Sequence, residues 1–491
     1  MQVNRSDEAR FSLPLMSIEQ TNCSILPLHG YPPTVGIPTF ALPLPTLTIA
    51  TLPKNSISTV QSLCSHQDLL ALTAVDKAAF AQRFDNPPLQ HLHFSAAPQV
   101  TAFLRCCQET QQTAKLNGTI RSREHFQTVH SLTLTLSDQL NIEQCISLFA
   151  FVPGVTCLKI NLTDEQRLIS LAPLLEAARY LALKHLYIAG SPKISFSLSY
   201  RFEEDPVPNR VWQWGTLETL SIVNFIGTWR IPDEIGNLAQ LTSLRIKVKC
   251  GGVQQAIPFP ESMGQLTQLE SLILEGFLGV RALPEAIGQL RALKTLELTE
   301  VSIRALPASV WRLPRLEQLS LDRLLFEKLP DEIGQFPALK SLALKNMGFR
   351  ELPKSLGQLT KLEQLIVEKL YYLQEIPAEI GQLRALKSLT LNQIFLPKTL
   401  PASVGQLDKL EVLTLRDLNH LESLPDEIGQ LTALHSLNLS SMRSLRALPT
   451  SLAQLPNLRK ITLSIMPDLT IPLALPKYTI KEHSPMKNFT D

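Results

Sequence analysis

The chain has 491 residues, with 46 basic and 44 acidic side chains and a net charge of +2. That balance gives no reason to expect nucleic acid or an anionic membrane as main partner, and the length exceeds one compact core unless repeated units contact only their neighbours. The seven cysteines (Cys23, Cys64, Cys106, Cys107, Cys145, Cys157 and Cys250) are odd in number and include no C-x-x-C pair, which points to a reducing compartment and away from a disulfide scaffold or structural zinc.

Met1 to Gln20 carries charges but no apolar signal core, so no secretory signal peptide is expected. The apolar stretch Val35 to Leu52 is broken by Pro38, Pro43 and Pro45, which argues against a membrane span and for a soluble chain. Between Glu19 and Asp68 the only charge is Lys54. Residues 1–47 therefore read as a disordered leader. Two readings of it stay open: an ordinary disordered N-terminus, or a leader resembling the export signals of bacterial effectors delivered into host cells.

Residues 48–84 form a second segment. Leu52-Pro53 opens it, and Ile57, Val60 and Leu63 fall on one helical face. Asp68 can cap a second short helix, to which Leu69, Leu72 and Val75 give an apolar side, and a third could follow through Phe80. Such helices are too few for a core of their own. The L-P start followed by D-L-x-x-L-x-x-V-x-K (Asp68 to Lys77) resembles an F-box. That resemblance implies docking on the Skp-type adaptor of a cullin–RING ubiquitin ligase through Leu52, Pro53, Ile57, Val60, Leu63, Leu69, Leu72 and Val75. Asp76 and Ala79 depart from the family, where cysteine and tryptophan are common. The competing reading is a helical cap on the repeats that follow.

Residues 85–215 carry the pattern L-x-x-L-x-L irregularly, starting at Leu89, Val129, Val155 and Leu183, with a helix expected over Asp164 to Tyr180. Ser191 to Trp214 breaks the period with Pro192, Pro206 and Pro208 and reads as an insertion.

From 216 to 475 one line recurs. The proline after a leucine or isoleucine returns at Pro232, Pro260, Pro284, Pro307, Pro330, Pro353, Pro377, Pro401, Pro425 and Pro449, mostly 23 or 24 residues apart. Eleven strand copies start at Leu217, Leu241, Leu269, Leu293, Leu316, Leu339, Leu362, Leu386, Leu410, Leu434 and Leu458. A period this regular means a solenoid. The line LPxxIGQLxxLxxLxLxx resembles the leucine-rich repeats of plant immune receptors and of plant-pathogen bacterial effectors. The expected fold is α/β: a right-handed leucine-rich-repeat solenoid with parallel strands on its concave face, preceded by the small helical F-box-like module. Residues 476–491 are left as a C-terminal tail.

Each repeat position has an expected task. The strand leucines stack inward. The glycines of I-G-Q-L (Gly236, Gly264, Gly288, Gly334, Gly357, Gly381, Gly405 and Gly429) need a close-packed backbone, and the glutamines after them can bond from coil to coil. Val301, Leu324, Met347, Leu370, Ile394, Leu418 and Met442 stand where many such repeats carry asparagine, so the turn must find its hydrogen bonds elsewhere, between coils or to water. The row Glu270, Lys294, Glu317, Lys340, Glu363, Lys387, Glu411, His435, Arg459 alternates in sign, each charge between opposite neighbours, and reads as a self-neutralising ladder in preference to a binding stripe, because a surface that satisfies itself has little left for a partner. Partner contacts are expected at the strand ends and the adjoining rim: Asp322, Arg323, Lys345, Glu368, Lys369, Tyr371, Tyr372 and Arg416, with Leu325 and Phe395 beside them. Rings bordered by mixed charge are what protein-binding surfaces use.

No catalytic centre emerges. There is no P-loop, H-E-x-x-H or G-x-S-x-G. Cys106-Cys107 reads as a buried structural pair, and His91-x-His93 puts two rings on one side of a strand, too few for a metal site. No cofactor, no nucleic acid and no membrane span are expected. The resulting reading is a non-catalytic substrate receptor of a cullin–RING ligase, cytoplasmic or nuclear and, if bacterial, secreted into a host cell. It would bind a Skp-type adaptor and an unidentified target. The alternatives are a plain leucine-rich-repeat binding or decoy module, and an enzyme with a cysteine nucleophile within 85–215.

Overall fold

The computed structural model describes residues 91–96, 99–101, 103–104, 129–136, 142–162, 171–190, 209–226, 230–249, 258–395, 398–466, 468–472, 475 and 480–482. The F-box-like segment, the leader, Cys106-Cys107 and most of Ser191 to Trp214 lie outside these residues. The chain divides into two compact units, Met1–Ser195 with Pro206–Val211, and Phe196–Asp205 with Trp212–Asp491.

In the first unit four parallel strands follow the four irregular copies: β1 (His91–Phe94), β2 (Ser131–Leu136), β3 (Cys157–Leu162) and β4 (His185–Ala189). Pairing is in register, Leu92 to Leu132 to Leu158 to Leu186 and Phe94 to Leu134 to Ile160 to Ile188. All eight are buried, because period-2 alternation sends every second side chain to one face. Helix α1 (Ile142–Phe149) buries Cys145, Leu148 and Phe149. Helix α2 (Ala172–Ala178) starts with Pro173 in its first turn, where the missing N–H costs nothing, and buries Leu174, Leu175 and Ala178. The described part of the expected helix over Asp164 to Tyr180 is thus shorter than its pattern.

The second unit is the regular array. Its parallel strands are β5 (Thr219–Ile226), β6 (Ser243–Lys249), β7 (Ser271–Glu275), β8 (Thr295–Thr299), β9 (Gln318–Asp322), β10 (Ser341–Lys345), β11 (Gln364–Glu368) and β12 (Ser388–Asn392). It continues with β13 (Val412–Arg416), β14 (Ser436–Ser440), β15 (Lys460–Ser464) and β16 (Ile480–Glu482). All eleven expected strands are present. The twelfth, β16, pairs Ile480 with Ile461 inside the stretch left as a tail. Within this unit the pairing order follows the sequence order, each strand beside the next, which is the solenoid that the period predicts.

Between strands the L-P corner leads into a single turn of 3-10 helix, as at Ala378–Gln382. Pro377 caps it with φ −64° and ψ 143°. The ring fixes that φ in advance, and the absent N–H would have had no partner. Ile380 N–H donates to the Pro377 carbonyl at 3.0 Å, and Leu383 N–H to the Ile380 carbonyl at 3.1 Å. Ile380 and Leu383 are both fully buried.

Glycine is required in this turn by the next coil. A Cβ on Gly381 would lie 2.5 Å from the Ser403 carbonyl oxygen and 2.9 Å from Gln406 Oε1. Here the expectation for the glutamines is corrected: among the described residues Gln382, Gln406 and their equivalents make no coil-to-coil side-chain hydrogen bond. Instead the amide fills the space that the preceding glycine leaves bare.

The turn after each strand also differs from the asparagine-ladder design. The residue following strands β8–β15 is left-handed in every coil: Glu300, Arg323, Asn346, Lys369, Gln393, Asp417, Ser441 and Ile465, φ between 51° and 56°. Gly276 holds the same place after β7. From Gly276 to Ser441 each N–H reaches the next coil: Lys369 N–H donates to the Asn392 carbonyl at 2.8 Å and Asp417 N–H to the Ser440 carbonyl at 2.9 Å. This backbone row does what the missing asparagines would have done, so the positions Val301 to Met442 are free to be apolar and buried.

Corners pair more sparsely. The carbonyls of Arg350, Lys398 and Arg446 accept from the N–H groups of Gln374, Glu422 and Thr470 at 2.9, 2.7 and 2.8 Å. Among the described residues no backbone bond joins Gln374 to Lys398 or Glu422 to Arg446. Ion pairs reinforce two of the bonded corners, Lys398–Glu422 at 3.0 Å and Arg446–Asp468 at 2.6 Å.

Candidate functional site

Strand register gathers the expected partner residues into one strip. Asp322, Lys345 and Glu368 are the last residues of β9, β10 and β11 and pair directly, Asp322 to Lys345 to Glu368. Arg416 ends β13, separated from Glu368 by Asn392. Arg323 and Lys369 follow in the left-handed row. Tyr371 and Tyr372 come next, 49% and 66% exposed, flanked by Leu325 at 54% and Phe395 at 52%.

Period-2 alternation aims the strand-end side chains outward, and local bonds fix several of them. Asn346 Nδ2 donates to Asp322 Oδ1 at 2.7 Å, and Asn392 Nδ2 to Glu368 Oε1 at 3.0 Å. Arg323 pairs with Glu300 and, at 3.5 Å, with Asp322. Among the described residues Lys345, Lys369 and Arg416 have no carboxylate partner, so their ammonium and guanidinium groups remain for solvent or a ligand. Two acceptors, Asn392 Oδ1 and Gln393 Oε1, are buried without a donor beside them. A buried acceptor left unmatched costs about 1–3 kcal/mol.

Two features of the rim were not read from the sequence. Gly348 occupies the place in its coil that Leu325, Tyr371 and Phe395 hold in theirs, and a Cβ there would meet nothing within 4 Å. It leaves a notch between Leu325 and Tyr371. The His420 ring lies 4.9 Å from that of Phe395 and extends the row by one coil. Register from strand to strand would have revealed both.

The alternating charge row is built differently from the continuous ladder expected. It forms separate pairs, Lys294–Glu270 at 2.8 Å, Lys340–Glu317 at 2.9 Å and Lys387–Glu363 at 2.8 Å. Each lysine bends back to the glutamate of the preceding coil, and one ammonium cannot reach both neighbours at contact distance. Hydrogen bonding to Lys387 lowers the Glu363 carboxyl below its ordinary value, and the same bond raises Lys387. The carbonyls in this row tie the coils too: Glu363 O accepts from both Lys387 and Ser388 N–H, at 2.8 and 3.0 Å.

Nothing in this strip arranges a nucleophile, base and orienting group. Among the described residues no group of three or more His, Cys, Asp or Glu side chains could hold a metal ion. None of the described helices is long and apolar enough to cross a membrane. His91 and His93 do share one side of β1, with Nε2 atoms 3.4 Å from Thr133 Oγ1 and 2.9 Å from Thr135 Oγ1. Besides the buried strand leucines, the second unit also holds the row Ser262, Ser403 and Ser451, whose buried hydroxyls lack partners.

Comparison with known families matches residues 261–368 and 368–470 to the leucine-rich repeat region. No curated protein matches the chain. Among solved structures, a Leptospira interrogans leucine-rich repeat protein is 24% identical, covering 73% of this chain and 91% of its own, with a TM-score of 0.41. The leucine-rich repeat domain of the type III effector XopL is 30% identical, covering 42% of this chain and 71% of its own, with a TM-score of 0.34. The functional domain of InlJ from Listeria monocytogenes is 16% identical, covering 85% and 81%, with a TM-score of 0.47.

Proposed function

We propose that this leucine-rich repeat protein is a non-catalytic receptor: the rim beside β9–β13 holds a target protein, and residues 48–84 tether it to a Skp-type adaptor of a cullin–RING ubiquitin ligase. The observation that carries the first half is the exposed row Leu325, Tyr371, Tyr372 and Phe395. Large apolar side chains in one exposed row, bordered by charges, mark an interaction site more often than a merely solvated face. The array supplies a continuous platform for it, since from β7 to β15 each coil is tied to the next at strand entry and at the left-handed turn.

The tethering half is supported by the F-box-like residues Leu52, Pro53, Ile57, Val60, Leu63, Leu69, Leu72 and Val75. Its mechanism is proximity: holding target and ligase on one chain raises their effective concentration to about the millimolar range that short linkers give. On this reading the chain acts in cytoplasm or nucleus. The likeness of its repeat line to plant-pathogen effectors supports delivery into a host cell.

Co-purification of the full chain with a purified Skp adaptor tests the tether. Adaptor should be retained by wild type and lost from Leu52→Ala/Pro53→Ala. Failure of wild type to retain it removes the ligase link and leaves a binding module.

A further inference from the structure

Outside the rim, chemistry-bearing side chains concentrate on one face of the first unit's sheet. Two in-register rows cross it: His91, Ser131, Cys157, His185, and His93, Thr133, Lys159, Tyr187. The alternate residues Leu158, Ile160, Leu186 and Ile188 are buried on the other face. Cys157 and His185 are half-buried, and Lys159 is exposed.

Parallel strands stand about 4.8 Å apart with in-register side chains side by side. Thiol and imidazole are therefore direct neighbours across β3 and β4, with the Lys159 ammonium two residues along the same strand. On the other side β2 presents only the hydroxyls of Ser131 and Thr133. Among the described residues no carboxylate stands in either row, whereas the equivalent strand positions of the second unit hold Glu275, Glu297, Asp322 and Glu368. Cysteines beside imidazole and ammonium groups, without carboxylates, form thiolates readily. Cys145 is the opposite case: buried on α1, its thiol is pushed up to about 12 by desolvation. Neither cysteine is in a disulfide.

We propose that Cys157 is a modifiable thiol, with His185 accepting its proton and Lys159 favouring small anionic disulfides such as glutathione disulfide. The Cys157 thiolate attacks one sulfur of that disulfide. A bond forms between Cys157 Sγ and one glutathione half as the original S–S bond breaks. The other half leaves as a thiolate and takes the proton from His185, so one disulfide is consumed and one is made.

The full chain is treated with iodoacetamide, iodoacetate or glutathione disulfide across pH, and Cys157 is followed by peptide mapping. Its alkylation should be half-maximal below the free-thiol value of about 8.5. His185→Asn should slow it roughly tenfold at pH 7, the effect of a thiol pKa raised by about one unit. Lys159→Gln should slow iodoacetate more than neutral iodoacetamide. Glutathione disulfide should give a mixed disulfide on Cys157 that dithiothreitol reverses and Cys157→Ser lacks. Protection of Cys145 reports an intact fold in each variant. A wild-type profile at or above the free-thiol value overturns the proposal whatever the variants do. So do equal rates in wild type and His185→Asn with Cys145 protected.

Discussion

Gly381→Ala isolates the coil-to-coil packing that fixes the repeat's glycine. The added Cβ would come within 2.5 Å of the Ser403 carbonyl oxygen and 2.9 Å of Gln406 Oε1. The amide can swing away, but the carbonyl belongs to the next coil's 3-10 turn (Ala402–Gln406) and moves only with it. Overpacking of this kind costs about 1–3 kcal/mol. Gly348→Ala is the matched control: its Cβ meets nothing within 4 Å, and its φ is not left-handed. Fewer unfolded conformations should then make it more stable by about 0.4–1 kcal/mol. Urea unfolding of both variants gives the midpoints, and hydrogen exchange locates the change. Gly381→Ala should raise exchange of the 3-10 amides in its own coil and the next, such as Leu383 and Leu407, before those of β8. Arrays need not unfold in a single step, so the local exchange carries the comparison. Equal stability of Gly381→Ala and wild type, or equal losses in both variants, would refute the packing argument.

Three other outcomes follow from the same coils. Ile465 is a branched residue held at φ 56° and is 59% exposed; left-handed backbone costs such a residue about 1–2 kcal/mol, so Ile465→Asn should raise the free energy of unfolding, read from urea melts, by about 1 kcal/mol. Because its folded pKa is depressed, Glu363 contributes stability above its unfolded value and loses it as pH falls through the folded one. NMR titration should find its carboxyl below 4.5 and moving up toward that value in Lys387→Gln. Tyr371→Ser with Tyr372→Ser should leave thermal unfolding within about 0.5 kcal/mol of wild type per substitution; a larger loss would mean that the rings pack on the coil and do not await a partner.

How much of this was legible in the sequence depended on whether a position's task constrains its residue type. Leucines, prolines and glycines at fixed spacing located β5–β15 and the 3-10 turns between them, because burial, a preset φ and a missing Cβ each admit few residues; β16 and the 3-10 turn Asn209–Gln213 lie outside the period and were not read. The left-handed row was invisible for the opposite reason. Glu300, Arg323, Lys369 and Asp417 share no chemistry, and their common φ goes with the flanking buried residues and the bond to the next coil. The lysine–glutamate pairs could be read as alternation but not as pairs, since side-chain reach decides which neighbour is chosen. For the rim, the named residues do lie in one strip, but the Gly348 notch is a property of an empty place and has no motif. The signal for the paired corners was present: Arg350, Lys398 and Arg446 are basic and recur every second coil.

Those corners give the array a mechanical grain. Coils joined at the strand, at the left-handed turn and at the corner are stiffer links than coils joined at the first two alone. From Arg350 onward, among the described residues, bonded corners alternate with unbonded ones at Gln374/Lys398 and Glu422/Arg446, and two-coil plates are the expected stiff units. Pulled from its C-terminal end, it should shed coils two at a time, and any bending toward a bound partner should collect at those joints. Tyr371, Tyr372 and Phe395 flank the first of them, so any such bending would move the rim.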